Sequence, residues 1–263
     1  MALEVATLEA NLEEEFWKHV SQDPLNYYFF IFDWKLQKKN TEILLALEEG
    51  KIEGIMLTYK QSIVQLRGNR KAVKTLLDHL DLEKVELTAP KECEDIVLKR
   101  YKPSRKYEII IMHLEKGDER ILKQHEPIEP FFEDAEQIAN LMRNSYPDFW
   151  GETTAEKVKK SMEENHWLAQ RDDDKIVSVG NTRFADFGSN IGVVATDEAY
   201  RNRGYATSIV SALIMEILQR YERALIHVLG NNHPAIHIYR KVGFKQYNSY
   251  LLVKGERIQS EHK

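Results

Sequence analysis

"RNRGYAT" (residues 201–207) decides how this chain is read. It follows "NIGVVAT" (190–196), which alternates and is β-branched, as a strand should be. After it, Ala206, Ile209, Val210, Leu213, Ile214, Ile217 and Leu218 recur at helical spacing. The stretch is therefore a turn joining a strand to the positive end of a helix. Such an end presents backbone N–H groups that lack helical partners, and these suit a phosphate. Gly204 has no side chain, so an oxygen can come close to its amide, and Ala206 keeps a nearby position small. Arg201 and Arg203 add positive charge at the rim. The turn lacks the Gly-Lys-Ser/Thr of a nucleoside-triphosphatase loop and the glycine spacing of a dinucleotide fingerprint. Alone, it reads as a pyrophosphate cradle or as an ordinary strand–helix turn with a helpful glycine.

Outward from this turn, the second half of the chain is a succession of short elements. "FFEDAEQIANLMRNSY" (131–146) is a helix with acidic residues at its positive end. "TTAEKVKKSMEEN" (153–165) is a second, with Thr153 or Thr154 as its cap. "HWLAQRDDDKIVSVGNTRFAD" (166–186) is a hairpin turning at "DDDK". Beyond the long helix come a strand, "ALIHVLG" (224–230), a helix in "HPAIHIYRKVG" (233–243), and a last strand or hairpin, "KQYNSYLLVKGE" (245–256).

The first half has a similar order. "EFWKHV" (15–20) is helical, and "TEILLALEEGKIEGIMLTYKQSIVQLRG" (41–68) makes three antiparallel strands with a tight turn at Gly50. "NRKAVKTLLDHLD" (69–81) is an amphipathic helix, "KVELTA" (84–89) a strand, "CEDIVLKRY" (93–101) a helix and "KYEIIIMHLE" (106–115) a long strand. The polar stretch "KGDERILKQHEPIEP" (116–130), with its two prolines, reads as a linker. We expect domains at 1–120 and 121–263, each a copy of one mixed α/β, α+β fold.

The bulk composition narrows the function. Of 263 residues, 43% are hydrophobic and 30% charged, with a net charge of −5. A core can form, and the basic surplus usual for nucleic-acid binding is missing. The one cysteine, Cys93, excludes an internal disulfide and a cysteine-rich zinc site. The acidic, amphipathic start is unlike a signal peptide, and no apolar run approaches about 18 residues. A soluble cytoplasmic protein is expected, without nucleic-acid or membrane partners. A homodimer is compatible with the sequence.

A second motif sharpens the first. "NNHPAIHIYRKVGF" (231–244) contains Asn-x-x-Ala-x-x-x-Tyr, Asn232 to Tyr239, followed by Gly-Phe. The order of strand, [Gln/Arg]-x-x-Gly-x-[Gly/Ala], helix, strand, then this signature resembles the GNAT superfamily of acetyl-CoA-dependent N-acetyltransferases. The resemblance covers roughly residues 123–263. It implies a twisted, mostly antiparallel sheet flanked by helices, here as two tandem GNAT-like domains similar to the glycine N-acyltransferase-like proteins.

The resemblance also implies roles. Arg201, Asn202, Arg203, Gly204, Tyr205, Ala206 and Thr207 would hold the pyrophosphate of acetyl-CoA. Val194, Ala195 and Thr196, on a splayed strand, would pair with its pantetheine arm and lie beside the thioester. Asn232 would touch the cofactor, and Tyr239 would protonate the departing thiolate. A tyrosine suits that task, with a reference pKa of about 10; a core aromatic is the other reading. The position where family members often carry a glutamate base is Asn190, which cannot act as one. His227, on the next strand, could accept the amine proton with a reference pKa near about 6.5, or be a structural histidine. His233 and His237 lie four apart, but no third ligand completes a metal site, and none is expected.

In "RNSYPDFWGETT" (143–154), Tyr146, Phe149 and Trp150 would line an amine acceptor site or anchor the loop. Asp148, Glu152 and Asp186 would attract an ammonium group. In the first half the cradle falls at "RGNRKA" (67–72), where Arg70 replaces the central glycine, and no asparagine–alanine–tyrosine signature follows. That half should not bind CoA. The expected function is N-acetyl transfer from acetyl-CoA to a primary amine at one active site. The alternative is a non-catalytic CoA- or acyl-CoA-binding sensor.

Overall fold

The structure, a computed structural model, describes residues 3–259. They divide into two compact units, one of residues 3–110, 229–231 and 248–259, the other of residues 111–228 and 232–247.

The first unit runs β1 (Glu4–Thr7), α1 (Glu13–Val20), α2 (Tyr28–Leu36), β2 (Thr41–Glu48), β3 (Lys51–Tyr59), β4 (Ile63–Gly68), α3 (Arg70–Asp78), β5 (Lys84–Pro90), α4 (Glu94–Arg100) and the first part of β6 (Tyr101–Glu115). The β2–β3 turn has left-handed backbone at Glu49 and Gly50, with φ of 52° and 78°, which a tight hairpin of the strand-matching hand requires. β2, β3 and β4 pair antiparallel, as their alternation predicts. β4 and β5 pair in parallel from Ile63–Glu86 to Gln65–Thr88. The core beneath the sheet includes Val64, Leu66, Val73, Leu76, Leu77, Leu87 and Val97. Cys93 is buried there, and burial pushes its thiol pKa up to about 11.

Two elements of this unit go beyond the sequence reading. β1 precedes the first helix and pairs antiparallel with β2. α2, "YFFIFDWKL", buries Tyr28, Phe30, Ile31, Phe32, Asp33 and Trp34. A helix that is apolar around most of its circumference has no amphipathic period to reveal it.

The second unit runs α5 (Ala135–Ser145), α6 (Pro147–Trp150), α7 (Ala155–Glu164), β7 (His166–Asp172), β8 (Lys175–Arg183), β9 (Ser189–Thr196), α8 (Tyr205–Arg220), β10 (Arg223–Leu229), α9 (His233–Lys241) and the start of β11 (Lys245–Arg257). Its strands lie in the order β6-β10-β9-β8-β7. β7–β8 and β8–β9 are antiparallel, and β9–β10 is parallel. Thr154 supplies the cap of α7, accepting from the Lys157 amide at 3.3 Å. α5 and α7 bury Ile138, Ala139, Leu141, Met142 and Val158 against Trp167, Ile176 and Val179 of the sheet. The apolar stripe of α8 is buried as read, including Ile209, Val210, Leu213, Ile214, Ile217 and Leu218.

Both units therefore share one succession: helical entries, three antiparallel strands, a helix, a parallel strand, a short helix and a final strand. "KQYNSYLLVKGE" is one strand, β11, not a hairpin. A division after residue 120 assigns all of β11 to the second half, but from Asn248 onward its residues lie in the first unit. There they pair antiparallel with β5, from Tyr250–Pro90 to Glu256–Lys84. Leu251 and Val253 complete the first unit's core, a packing gain for apolar side chains that no local pattern announces. Among the described residues no helix is long and apolar enough to cross a membrane.

Candidate functional site

The second unit contains a split between two parallel strands. β9 and β10 pair through Ser189–Ala224, Asn190–Leu225 and Ile191–Ile226, and pairing stops there. On its other side β9 stays paired with β8 through Gly180–Val194, Val179–Ala195 and Ser178–Thr196. The ladder shifts register between Gly180 and Thr182, and the Val193 amide donates to Asn181 Oδ1 at 2.8 Å. From Gly192 to Thr196, then, β9 carries a main-chain edge that β10 does not cover. Val194, Ala195 and Thr196 lie on this stretch. Thr196 Oγ1 is 2.8 Å from Ser178 Oγ.

The turn lies directly beyond. Asn202 and Gly204 have left-handed backbone, with φ of 62° and 85°. Gly204 is the N-cap of α8 and has no side chain with which to cap it. The first helical bond that closes on the cap runs from the Ser208 amide to the Gly204 carbonyl at 2.9 Å. Among the described residues the amides of Asn202, Arg203, Gly204, Tyr205, Ala206 and Thr207 have no hydrogen-bond acceptor. A run of unpaired donors at the positive end of a 16-residue helix has the geometry and the field that suit an anion. Arg201 and Arg203 are exposed at its rim and form no ion pair among the described residues. Arg201 Nη2 reaches the Ser145 carbonyl at 3.4 Å, and the Arg203 guanidinium lies 5.2 Å from the centre of the Tyr200 ring.

The stretch read as a linker contributes to this corner. The amides of Leu122, Gln124 and His125 donate to Ser211 Oγ and Ser208 Oγ at 3.0, 3.0 and 3.1 Å. His125 Nε2 donates to the Arg203 carbonyl at 2.8 Å, and its ring stacks on Tyr205 with centroids 4.2 Å apart. A Cβ at position 204 would fall on Gln124 Oε1. The Gln124 carboxamide thus covers the glycine, and its side chain must turn aside to admit an oxygen there. The only sequence signal for this strap was the pair Ser208 and Ser211, polar residues on the buried side of an otherwise apolar helix.

The proton-handling candidates belong to the same unit. Tyr239 is 5% exposed on α9, its ring edge-on to Phe244 at 6.0 Å. Its hydroxyl has no hydrogen-bond partner among the described residues, and burial pushes its pKa up. The phenol therefore keeps its proton at neutral pH. His227 is half-buried on β10, its Nδ1 3.0 Å from Asn190 Oδ1. An amide oxygen can only accept, so Nδ1 carries the hydrogen and Nε2 holds the lone pair. Asn190 cannot be a base, but it sets the tautomer in which His227 can be one. Asn232 is the N-cap of α9, with Oδ1 accepting from the Ala235 amide at 3.3 Å. Only its amide nitrogen is left to donate to a ligand. Tyr146, Phe149 and Trp150 form a chain of ring contacts at 6.3 and 4.8 Å, and Trp150 packs on the core of α5 and α7.

Residues 170–253 match the family model described as FR47-like protein. No curated protein sequence matches the chain significantly. A Drosophila protein of solved structure is similar over 95% of this chain and 98% of its own, with a TM-score of 0.72 and 13% identity. A GNAT-family acetyltransferase from Colwellia psychrerythraea aligns over 96% of this chain and all of its own, at a TM-score of 0.58 and 10% identity. A tandem GNAT protein from the clavulanic acid biosynthesis pathway aligns over 98% of this chain and 100% of its own, at 0.59 and 12%. The chain is a tandem GNAT-fold protein, with mixed α/β architecture.

Proposed function

We propose that this chain is an acetyl-CoA-dependent N-acetyltransferase with one active site, in the unit that contains α8. One observation carries the reading: the unpaired amides from Asn202 to Thr207 stand at the end of a strand whose neighbouring edge is also unpaired. The first would hold the pyrophosphate of CoA. The second, Gly192 to Thr196, would pair with the amides of its pantetheine arm and bring the thioester toward the split.

The chemistry then needs a neutral amine, an oxyanion donor and two proton transfers. The amine nitrogen attacks the thioester carbonyl carbon, and the oxygen takes the charge, held by a β9 backbone N–H. His227 Nε2 takes the ammonium proton, directly or through water. The C–S bond breaks, and Tyr239 gives its proton to the thiolate. The half-buried aromatic ring group of Tyr146 and Phe149, with Asp148, Glu152 and Asp186, would recruit the amine.

The first unit supports a single CoA site. Arg70 stands where the cradle glycine would be and is bound to Asp95 through 2.8 and 3.0 Å contacts. A non-catalytic CoA-binding sensor is the second reading, favoured by an asparagine, Asn190, where a carboxylate base is common. A panel of primary amines with acetyl-CoA, read as free thiol released, separates the two. We expect turnover with at least one amine class. CoA binding without thiol release across the panel would favour the sensor, and no binding of CoA at all would remove both readings.

A further inference from the structure

The first unit has a strand split of its own. β4 and β5 stop pairing after Gln65–Thr88, although β4 continues to Gly68 and β5 to Pro90. A cavity of about 240 Å³ opens there, lined by the ends of both strands, by the segment between α1 and α2, and by β11. Arg67 lines it and is 5% exposed.

A guanidinium is always charged, and burying it is costly unless charge and donors are both matched. Here only neutral groups bond to it, and the Asp23 carboxylate acts on it through space. Arg67 Nε donates to the Asn26 carbonyl at 3.2 Å and Nη1 to the Leu66 carbonyl at 2.9 Å. Nη1 to Thr88 Oγ1 and Nη2 to Gln65 Oε1 are long, at 3.5 and 3.4 Å. Nη2 has only this long bond and the Tyr250 hydroxyl beside it, and Arg67 forms no ion pair among the described residues. The Tyr250 ring covers the guanidinium at 3.6 Å, and the Phe30 ring lies at 5.6 Å. Tyr250 is itself held, its hydroxyl donating to Asn26 Oδ1 at 2.7 Å. The guanidinium plane is therefore fixed, and its edge remains for a ligand. That edge matches a carboxylate.

The rest of the lining restricts the ligand further. It includes two carboxylates, Asp23 and the exposed Glu92, and the carboxamides of Asn26 and Asn248. A phosphate or a simple carboxylate would meet Arg67 but be repelled by Asp23 and Glu92. An amine alone would meet the carboxylates and leave Arg67 unmatched. A small zwitterion satisfies both. The volume, below the roughly 300–1,000 Å³ of drug-sized sites, suits a single small metabolite.

We propose that this cavity binds a free α-amino acid, its carboxylate on Arg67 and its ammonium group toward Asp23 and Glu92. The site is separate from the proposed acetyl-transfer site and does not depend on it. The test uses the full chain without CoA. Each of the common amino acids is added in turn, alongside its amide, its N-acetyl derivative and inorganic phosphate, and the melting temperature is followed. At a hundredfold excess over Kd, a bound amino acid should raise Tm by about 5 °C. The amide, lacking the carboxylate, should give no shift, and the N-acetyl derivative and phosphate smaller ones.

Arg67→Met, if it folds, should abolish the response. Glu92→Gln, at an exposed position, keeps Arg67 and should weaken amino-acid binding about tenfold or more while strengthening that of the N-acetyl derivative. No response to any amino acid would overturn the proposal. So would an equal response to acid and amide, a stronger response to phosphate, a response that survives in folded Arg67→Met, or Glu92→Gln binding like the wild type.

Discussion

α3 and α8 begin at matching points of one repeated succession, and their first turns end in opposite ways. Before α3, Asn69 Oδ1 accepts from the Ala72 amide at 2.9 Å, and Asn69 Nδ2 donates to Glu53 at 2.9 Å. Arg70 is tied to Asp95. Before α8, Gly204 offers no side chain, and the amides around it are unmatched among the described residues. At α3 a side-chain cap takes one of the first-turn donors. At α8 no side chain does so, and the donors are left to a ligand or water. The difference lies in a few residues.

The strand splits show the same divergence. In the second unit the opening is bordered by the bare amides and by His227. In the first it is floored by a buried arginine under an aromatic ring. Each copy keeps the opening that the parallel pair makes and lines it with different residues.

Gly204 separates the two helix ends most sharply. Gly204→Val places a β-branched side chain at φ of +85° and onto Gln124. Such backbone strain costs about 1–3 kcal/mol, and CoA affinity should fall about a hundredfold or more as the amides become inaccessible. Calorimetric titration of the folded variant with CoA reads this out, and an unchanged Kd would end the cradle reading.

Next in size is the proton donor. Tyr239→Phe should lower kcat about a thousandfold, within the range of positioned acid catalysis, with KM for acetyl-CoA nearly unchanged. Equal activity would return Tyr239 to the role of a core aromatic.

His227→Ala should lower kcat/KM about a hundredfold and remove the ascending limb of the pH–rate profile. Asn190→Ala should give a smaller loss with the limb retained but displaced, because the tautomer is no longer held. A histidine variant with the wild-type profile would leave His227 structural.

The smallest effect tests the closed end of α3. The Arg70 guanidinium, by hydrogen bonding, holds the Asp95 carboxyl pKa below its ordinary value. A depressed carboxylate contributes stability above its unfolded pKa and loses it as pH falls through the folded one. Urea unfolding should therefore show wild type more stable than Asp95→Asn at about pH 6 and the gap closing by about pH 3. The pair is exposed, so the difference should be slight. A gap that persists in acid would mean the clamp is not ionic.

Much of the second unit was legible because its signals are local. The stripe of α8, the "DDDK" hairpin and the turn at Gly204 each lie within one window of sequence, and the structure puts each where its period or turn chemistry indicates. The cap Thr154 was legible for the same reason. What was missed depends on distant partners. Asn190 and His227 are 37 positions apart, and their hydrogen bond exists only because β9 and β10 are neighbours. The strap at Gln124 and His125 looked like a linker because its contacts are backbone bonds to serines on α8.

The chain's own residues determined most of the helices and strands, where the glycine turn falls, and that the first copy lacks it. Periodicity and turn chemistry act between near neighbours and need no partner to be read. Tertiary structure alone decided that β11 joins the first unit's sheet, that α2 is interior, that Asn190 orients His227, and that Arg67 lies buried at a cavity. Each of these depends on which surfaces meet, and burial, pairing and charge balance are properties of the meeting rather than of either segment.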